Sequence, residues 1–476
     1  MKKISRFILG LLYVAFFVNI VIFIYHINLF RFISPYIKYI MIGFMVLFII
    51  ILVLGIKFLL FDMIKNRFNT KMIVFLYIII IILNIALLLG NFGGNYLNKI
   101  VKKLTGTELY KSVIVVKNDS EINAIEDLEN KKIGLINSQI NNKDYTLCYE
   151  ILEKNNLINQ NEIIYYDSNL DLLSALYNSE VDAIGITINF VEAFKEYYED
   201  LDKLKVIATN EMMVSVPKKT KQIDKPFTVL IIGSDQTKEG SYQADVLILM
   251  SINLQTKNVV MVDVVRDTYA INMATGKMDK ITHTGWYGEE NVVNIVSNLF
   301  DINIDYYVKF NFIGVTNLID MIGGLNLNVP YTCLVDDNNR YIYPGYQKLN
   351  GYEVLALART RKMQGSSLFT RGRMQMYIIE ETIKQTSKDI ILNNMVSFLD
   401  NIGNNIKLNI KEETLFEYIK KYIDIKNEIT FKNYQLKGVD SSFYHESINA
   451  VLYTYKYDEQ SLKELSNLLK ENLKQK

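Results

Sequence analysis

Acidic residues sit at the ends of several apolar runs in the second half of this sequence. Asp235 closes Leu230-Ile-Ile-Gly-Ser-Asp235, Asp245 directly precedes the run starting at Val246, and Arg266-Asp267 ends Met261-Val-Asp-Val-Val-Arg-Asp267. Apolar runs rich in β-branched residues read as strands, and residues just past strand ends line a rim where ligands bind. Two carboxylates converging there offer a divalent cation such as Mg²⁺ the hard oxygen ligands it prefers. Each acid also has an ordinary use as a turn residue. The second set is basic: the chain is mostly lysine among its cations, yet Arg359, Arg361, Arg371 and Arg373 fall within 15 positions, with Arg266 upstream. A planar guanidinium fork binds phosphate oxygens in pairs, which an ammonium cannot do. Arg359 and Arg361 read equally as cations answering a helix C-terminus. Acids holding a metal beside arginines holding an anion make a metal-neutralised pyrophosphate site, the arrangement of phosphoryl transfer. His283, nearby, reads as structural or site-lining, and Trp286, the sole tryptophan, as packing.

The elements that must position these residues begin at Phe227. Thr228–Ile232, Val246–Ile252 and Val259–Val265 read as strands, while Asn291–Phe300 and Phe312–Ile322 have helical spacing. The second helix stops at Gly323-Gly324, where a left-handed residue is needed. Asn350 with Glu353 forms a capping box that starts a helix near Gly351, and Gln375–Lys384 lies in a further long helix. Together these predict an α/β or α+β domain over 227–393, with 394–476 as its C-terminal extension ending in an amphipathic helix over Gln460–Glu471.

A second alternation precedes it. Val113–Val116, Lys132–Ile136, Ile163–Tyr166, Ala183–Ile186 and Leu204–Ala208 read as strands, with helices over Tyr145–Lys154 and Leu170–Tyr177, so an α/β layer with parallel strands is expected over 105–216. The phrases Ile125-Glu-Asp-Leu-Glu-Asn-Lys-Lys-Ile-Gly134 and Leu172-Leu-Ser-Ala-Leu-Tyr-Asn-Ser-Glu-Val-Asp-Ala183 resemble extracytoplasmic solute-binding proteins of the amino-acid type. That resemblance implies a ligand-gripping arginine, but residues 105–225 contain none, which favours a docking or spacer role. The charged stretch Pro217–Pro226 marks the boundary between the two domains.

At 476 residues and 50% hydrophobic, the chain has room for two or three cores and is neither disordered nor collagen-like. Cys148 and Cys333 fall in different domains, so neither a disulfide framework nor a thiolate metal site is available. Residues 1–95 carry nine Lys/Arg against one acid, and the rest is net acidic. No separate domain has the basic excess that nucleic-acid binding needs. Phe7–Tyr25, Tyr39–Ile56 and Met72–Gly90 are uncharged runs of 18 or 19 residues, read as three transmembrane helices forming an anchor over 1–95. Flanking charges then put the N-terminus in the cytoplasm and everything after about Asn91 outside, a multi-pass cell-membrane protein with extracellular domains. On an outer membrane face, the substrate class for a pyrophosphate site is a lipid diphosphate.

Residues 227–390 resemble the LytR–CpsA–Psr family of cell-wall glycopolymer ligases. The resemblance rests on Val229-Leu-Ile-Ile-Gly-Ser-Asp235, Ala244-Asp245, Leu247-Ile-Leu-Met-Ser-Ile-Asn253, Val265-Arg-Asp-Thr268 and Lys280-Ile-Thr-His283. It continues through Ile304-Asp-Tyr-Tyr-Val308, Met321-Ile-Gly-Gly-Leu325, Val329-Pro330, Pro344-Gly-Tyr-Gln-Lys-Leu-Asn-Gly351, Ala356-Leu-Ala-Arg-Thr-Arg361 and Arg371-Gly-Arg-Met-Gln375. Three helices followed by an accessory domain also look like the capsule-type members. The resemblance implies an enzyme that moves a teichoic acid or capsular polysaccharide from undecaprenyl pyrophosphate to peptidoglycan, at a muramic acid 6-hydroxyl, with Mg²⁺ or Mn²⁺. It implies Asp235 and Asp245 as metal ligands, with Asp267 a further candidate for metal or orientation. Arg266, Arg359, Arg361, Arg371 and Arg373, with Gln375, would bind the pyrophosphate. The family usually has Arg-Ser-Asp where this chain has Gln243-Ala244-Asp245, and an acid before Arg-Gly-Arg where Ser366–Thr370 offers none. The alternative function is a non-catalytic membrane receptor for a polyprenyl-pyrophosphate-linked glycan, which would need the arginines but not the metal acids.

Overall fold

The computed structural model describes residues 2–29, parts of 43–57, 74 and 77–92, then 107–215, 217–234, 240–336, 339–360, 368–387, 405–445 and 450–474. The chain divides into two compact units, Met1–Lys102 with Leu415–Glu417, and the remainder.

In the first unit, helix α1 (Lys2–Leu29) packs on a helical stretch at 77–92. Tyr13, Phe16 and Ile20 meet Ile80 and Leu87, and Asn19 Nδ2 donates to Asn84 Oδ1 at 3.0 Å in the buried seam. The expectation of three membrane crossings is overturned: among the described residues no helix is long and apolar enough to cross a membrane. Length alone does not make a crossing: α1 runs 28 residues but carries Lys2, Lys3 and Arg6 in its first turns and meets the second helix through a buried Asn19–Asn84 hydrogen bond. The expected crossing at Tyr39–Ile56 lies largely outside the described residues. The multi-pass membrane localisation, with its inside and outside assignments, falls with the three crossings it was built on.

Among its described residues, the second unit is built around a five-stranded and a six-stranded sheet. The first is built from β1 (Thr107–Val116), β2 (Lys132–Ile136), β3 (Glu162–Tyr166), β4 (Ala183–Thr187) and β5 (Lys205–Ser215), in the order β3-β2-β4-β1-β5. Strands β3, β2 and β4 are parallel as the alternation predicts, but β1 runs antiparallel to both β4 and β5, so the layer is mixed. Helices α2 (Asn142–Lys154), α3 (Asn169–Tyr177) and α4 (Phe190–Phe194) cover it. Asn141 and Ser168 cap α2 and α3 with their side chains.

The second sheet begins with β6 (Phe227–Ser234), β7 (Val246–Asn253) and β8 (Asn258–Asp263), an antiparallel meander whose first strand is buried along its whole length. A small hairpin, β9 (Tyr269–Ile271) and β10 (Met278–Lys280), leads through the 3₁₀ turn Ile281–Tyr287 into α5 (Glu289–Phe300). Strand β11 (Tyr306–Asn311) then pairs parallel to β6. Helix α6 (Phe312–Met321), the strands β12 (Leu325–Val329), β13 (Cys333–Leu334), β14 (Tyr341–Ile342) and β15 (Gly345–Leu349), α7 (Gly351–Arg359) and α8 (Leu368–Gln385) follow. The last segment supplies β16 (Ile406–Leu408) and β17 (Thr430–Gln435) to the edges, giving β16-β11-β6-β7-β8-β17, then the hairpin β18 (Gly438–His445) and β19 (Ala450–Tyr457), and α9 (Glu459–Asn472). Two strands after 394, β16 and β17, therefore belong to the main sheet. One core lies between the sheet, α5 and α9, through Leu230, Leu249, Val262, Phe300 and Leu469. A second lies under α6, α7 and α8.

The two sheets are joined by a shared core. Trp286, from the 3₁₀ turn of the second domain, is 1% exposed and packs among Phe190, Phe194, Leu173 and Ile186 of the first. Its ring stacks on His283, 4.2 Å between centroids and 10° apart. His283 is fully buried, with Nδ1 2.7 Å from Asp279 and Nε2 against the Tyr197 hydroxyl, a structural placement.

Candidate active-site cleft

Close packing of the strand ends puts Asp245 at the rim. A Cβ on Gly233 would lie 2.8 Å from Val246 Cβ, so only glycine lets β6 and β7 meet there, and Asp245 N donates to Gly233 O at 2.8 Å. Asp245 thus directly precedes β7, with its carboxylate accepting from Arg266 Nη1.

Arg266 follows β8 and is held from both ends, with Thr282 N donating to its carbonyl at 2.8 Å. Its side chain is 7% exposed and meets three carboxylates: Asp245 on Nη1, Asp267 on Nε at 3.4 Å, and Glu196 on Nη2 at 3.6 Å. Burial works against its charge, but these acids hold its pKa above the ordinary guanidinium value. Asp267 lies behind the guanidinium and pairs with Lys280 at 3.1 Å. Burial pushes its carboxyl up, but Arg266 and Lys280 outweigh that and hold it below the usual carboxylate range. Asp267 therefore orients Arg266.

Helices α7 and α8 supply the facing wall. Arg359 ends α7 with its guanidinium carbon 4.4 Å from the centre of the Phe312 ring, a cation–π contact. Arg371 sits in the first half of α8, 8% exposed. Gln375 Nε2 donates to Ala358 O at 3.2 Å, tying the two helices together. The glycine of Arg371-Gly-Arg373 is a contact requirement: a Cβ on Gly372 would collide with the Asp263 carboxylate. Asp263 accepts from Gln435 Nε2. Burial pushes its pKa up to about 6, with Gln435 and the charge of Arg371 pulling the other way.

These walls enclose a cleft of about 560 Å³ lined by Asp245, Arg266, Arg359, Arg371 and Gln375, with Lys195, Glu196, Gln243 and Thr360. Of the residues expected from sequence, those five share the cleft and Asp267 stands directly behind it. Arg373 is on the same helix but exposed and outside the lining. Asp235 and Arg361 lie outside the described residues. Sequence reasoning missed Asp263, whose signal was a carboxylate inside the apolar run Val259–Val265. It also missed Lys195 and Glu196, which carry no local signal. The donor chemistry of the rim, a carboxylate beside several guanidinium groups, suits a hard cation shared with an anion. Among the described residues, however, no group of three or more His, Cys, Asp or Glu gathers to hold a metal.

Residues 185–471 match the LytR_cpsA_psr family, and residues 93–220 match the phosphonate periplasmic substrate-binding proteins of ABC transporters. The chain is 31% identical over 255 residues to the polyisoprenyl-teichoic acid–peptidoglycan teichoic acid transferase TagU of Bacillus licheniformis, covering 52% of this chain and 78% of that protein. To its namesake in Bacillus subtilis it is 30% identical over 283 residues, covering 58% and 85%. The crystal structure of B. subtilis TagU aligns at 29% identity over 53% of this chain and 98% of that one, with a TM-score of 0.41. The family match spans more than half of the chain and takes in every cleft residue named above, so this protein belongs to the LytR_cpsA_psr family.

Proposed function

We propose that this protein is a glycopolymer–peptidoglycan phosphotransferase whose donor is an anionic glycopolymer carried on polyprenyl pyrophosphate. The observation that carries the reading is the convergence of Arg266, Arg359 and Arg371 with Asp245 and Gln375 on one cleft. Three guanidinium groups from three separate elements facing one space match a pyrophosphate with several anionic oxygens.

In the reaction, an acceptor hydroxyl of peptidoglycan attacks the phosphorus next to the glycan. A phosphodiester bond forms, the P–O bond to the bridging oxygen breaks, polyprenyl phosphate leaves, and the hydroxyl's proton passes to that phosphate through solvent. Charge grows on the bridging oxygen as it leaves with polyprenyl phosphate, where fixed guanidinium groups stabilise the transition state without reorganising. Asp267 and Lys280 hold Arg266 in orientation, and Gln375 fixes α8 against α7 so that Arg371 and Arg359 face the same point. A divalent cation, Mg²⁺ or Mn²⁺, would be held by Asp245 with Asp235 and would neutralise further charge on the pyrophosphate.

The test is to supply the protein with a lipid-pyrophosphate glycan, a peptidoglycan acceptor and Mg²⁺. Loss of the pyrophosphate-linked donor with appearance of a phosphodiester-linked product is the expected result. Tight donor binding without turnover would replace this reading with a receptor.

A further inference from the structure

The cleft has a wall that comes from the first domain. Helix α4 buries Phe190, Ala193 and Phe194 around Trp286, which fixes where the chain emerges from its C-terminus. Gln243 Nε2 donates to Ala193 O at 3.1 Å on one side, and the Tyr197 hydroxyl bonds His283 on the other. Further tethers lie alongside: Ser241 N donates to Thr187 Oγ1 at 3.0 Å, and Asn189 Nδ2 to Ser241 O. Lys195 and Glu196 lie between the two pinned positions and both line the cleft. Glu196 reaches Arg266 Nη2 at 3.6 Å. It is also the weakest of the three acids on that guanidinium, 40% exposed against 18% for Asp245 and 7% for Asp267.

Resting on the transferase reading, we propose that the first domain is a working wall of the cleft that sets donor affinity: Lys195 binds the donor's phosphate oxygens, and Glu196 holds the outer nitrogen of Arg266 until a phosphate oxygen displaces it. The physical logic is one of position and charge. Gln243 is neutral and its amide is spent on docking the domain, so the cation on this side of the cleft comes from position 195. An exposed carboxylate at 3.6 Å is a cheap placeholder, because water screens the pair and its loss costs little. A phosphate oxygen with more charge and better geometry then wins the same nitrogen.

The two residues act in opposite directions, which separates this proposal from a merely structural role. Binding of farnesyl pyrophosphate to the full chain is measured by calorimetry for wild type, Lys195→Ala, Lys195→Arg, Glu196→Gln and Arg359→Ala, with melting temperatures to verify folding. Lys195→Ala should weaken binding about fivefold to tenfold, with Lys195→Arg restoring most of it. Glu196→Gln should tighten binding about threefold. Unchanged affinity in Lys195→Ala beside a loss in Arg359→Ala overturns the proposal and leaves the transferase reading standing. A shift of Lys195→Ala and Glu196→Gln in the same direction also overturns it. Wild type that binds no polyprenyl pyrophosphate overturns both.

Discussion

The rings of Trp286 and Phe194 lie 4.8 Å apart between centroids, although one residue belongs to the second sheet's domain and the other to the first. An indole buried to 1% exposure in the partner domain's core makes the two domains one folding unit in this region. In the same turn Thr282 N donates to the carbonyl of Arg266, so the docking contact and the cleft share a backbone.

Trp286→Ala should therefore cost about 3–5 kcal/mol, the usual range for truncating a buried aromatic. Because the cavity opens between the domains, a single unfolding transition should split, with the first domain melting separately. Differential scanning calorimetry and limited proteolysis near residues 217–226 read this; one unshifted transition would rule it out.

Gly372→Ala should be costly on an otherwise favourable helix position. The added Cβ collides with Asp263, so α8 must move away from β8 and carry Arg371 with it. A stability loss of about 1–3 kcal/mol is expected from overpacking, together with weaker donor binding. Denaturant midpoints and calorimetry measure the two effects, and a stabilised variant would refute the contact.

Arg266→Lys keeps the charge but loses the fork that engages three carboxylates. A drop in kcat/KM of at least about tenfold is expected, with the protein still folded. Kinetics with a lipid-pyrophosphate glycan decide it, and wild-type turnover in the lysine variant would remove Arg266 from the donor site.

Stability should fall as pH rises from about 4 to about 6. Burial pushes Asp144 and Asp263 up to about 6 in the folded protein, so the native state holds protons there that the unfolded chain has released. Each shift of about two units corresponds to stabilisation on the order of 3 kcal/mol, present below pH 4 and lost by pH 6. Asp144 takes hydrogen bonds from Ser112 on Oδ1 at 2.5 Å and from Asn141 on Oδ2 at 2.6 Å; in an asparagine the amide oxygen can keep the Asn141 bond while the NH2 donates to the Ser112 hydroxyl. Asp144→Asn should flatten the slope over this interval in urea titrations at several pH values; an unchanged slope would exclude Asp144 as its source.

The buried pair Lys309–Glu289, 2.6 Å apart, runs the other way. Burial opposes the charge of Glu289, but Lys309, Lys407 and Lys143 hold its pKa low, so its contribution is present above the unfolded carboxylate range and lost as pH falls below it. Lys309→Met leaves that carboxylate buried without its nearest partner and should cost about 3–5 kcal/mol near neutral pH, less in acid. Equal losses at pH 3 and pH 7 would contradict this.

Much of the second domain was legible residue by residue. The capping box of Asn350 and Glu353 starts α7, and Gly323 and Gly324 take positive φ after α6 as their type requires. These signals are local, a matter of hydrogen bonds and backbone sterics within a few positions. Strand ends were less legible: Val264 and Val265 continue the apolar run of β8 yet leave the sheet, because the chain must turn there to deliver Arg266. The antiparallel pairing of β1 was hidden too, since an alternation of strands and helices does not state direction. In the N-terminal hundred residues apolar composition misled: among the described residues no helix is both long and apolar enough to cross a membrane.

What the sequence by itself determined was the chemical inventory: acids at strand ends, arginines in excess where lysine would serve, and the motif order that marks the family. Tertiary structure alone decided which of them meet. Arg373, two residues from Arg371, stays outside the cleft because successive helical side chains point to different faces. Glu196 reaches Arg266 across 70 residues because Trp286 pins α4 beside the second domain. Such long-range contacts follow from the packing of two cores, and no local pattern of residue types encodes where two surfaces will touch.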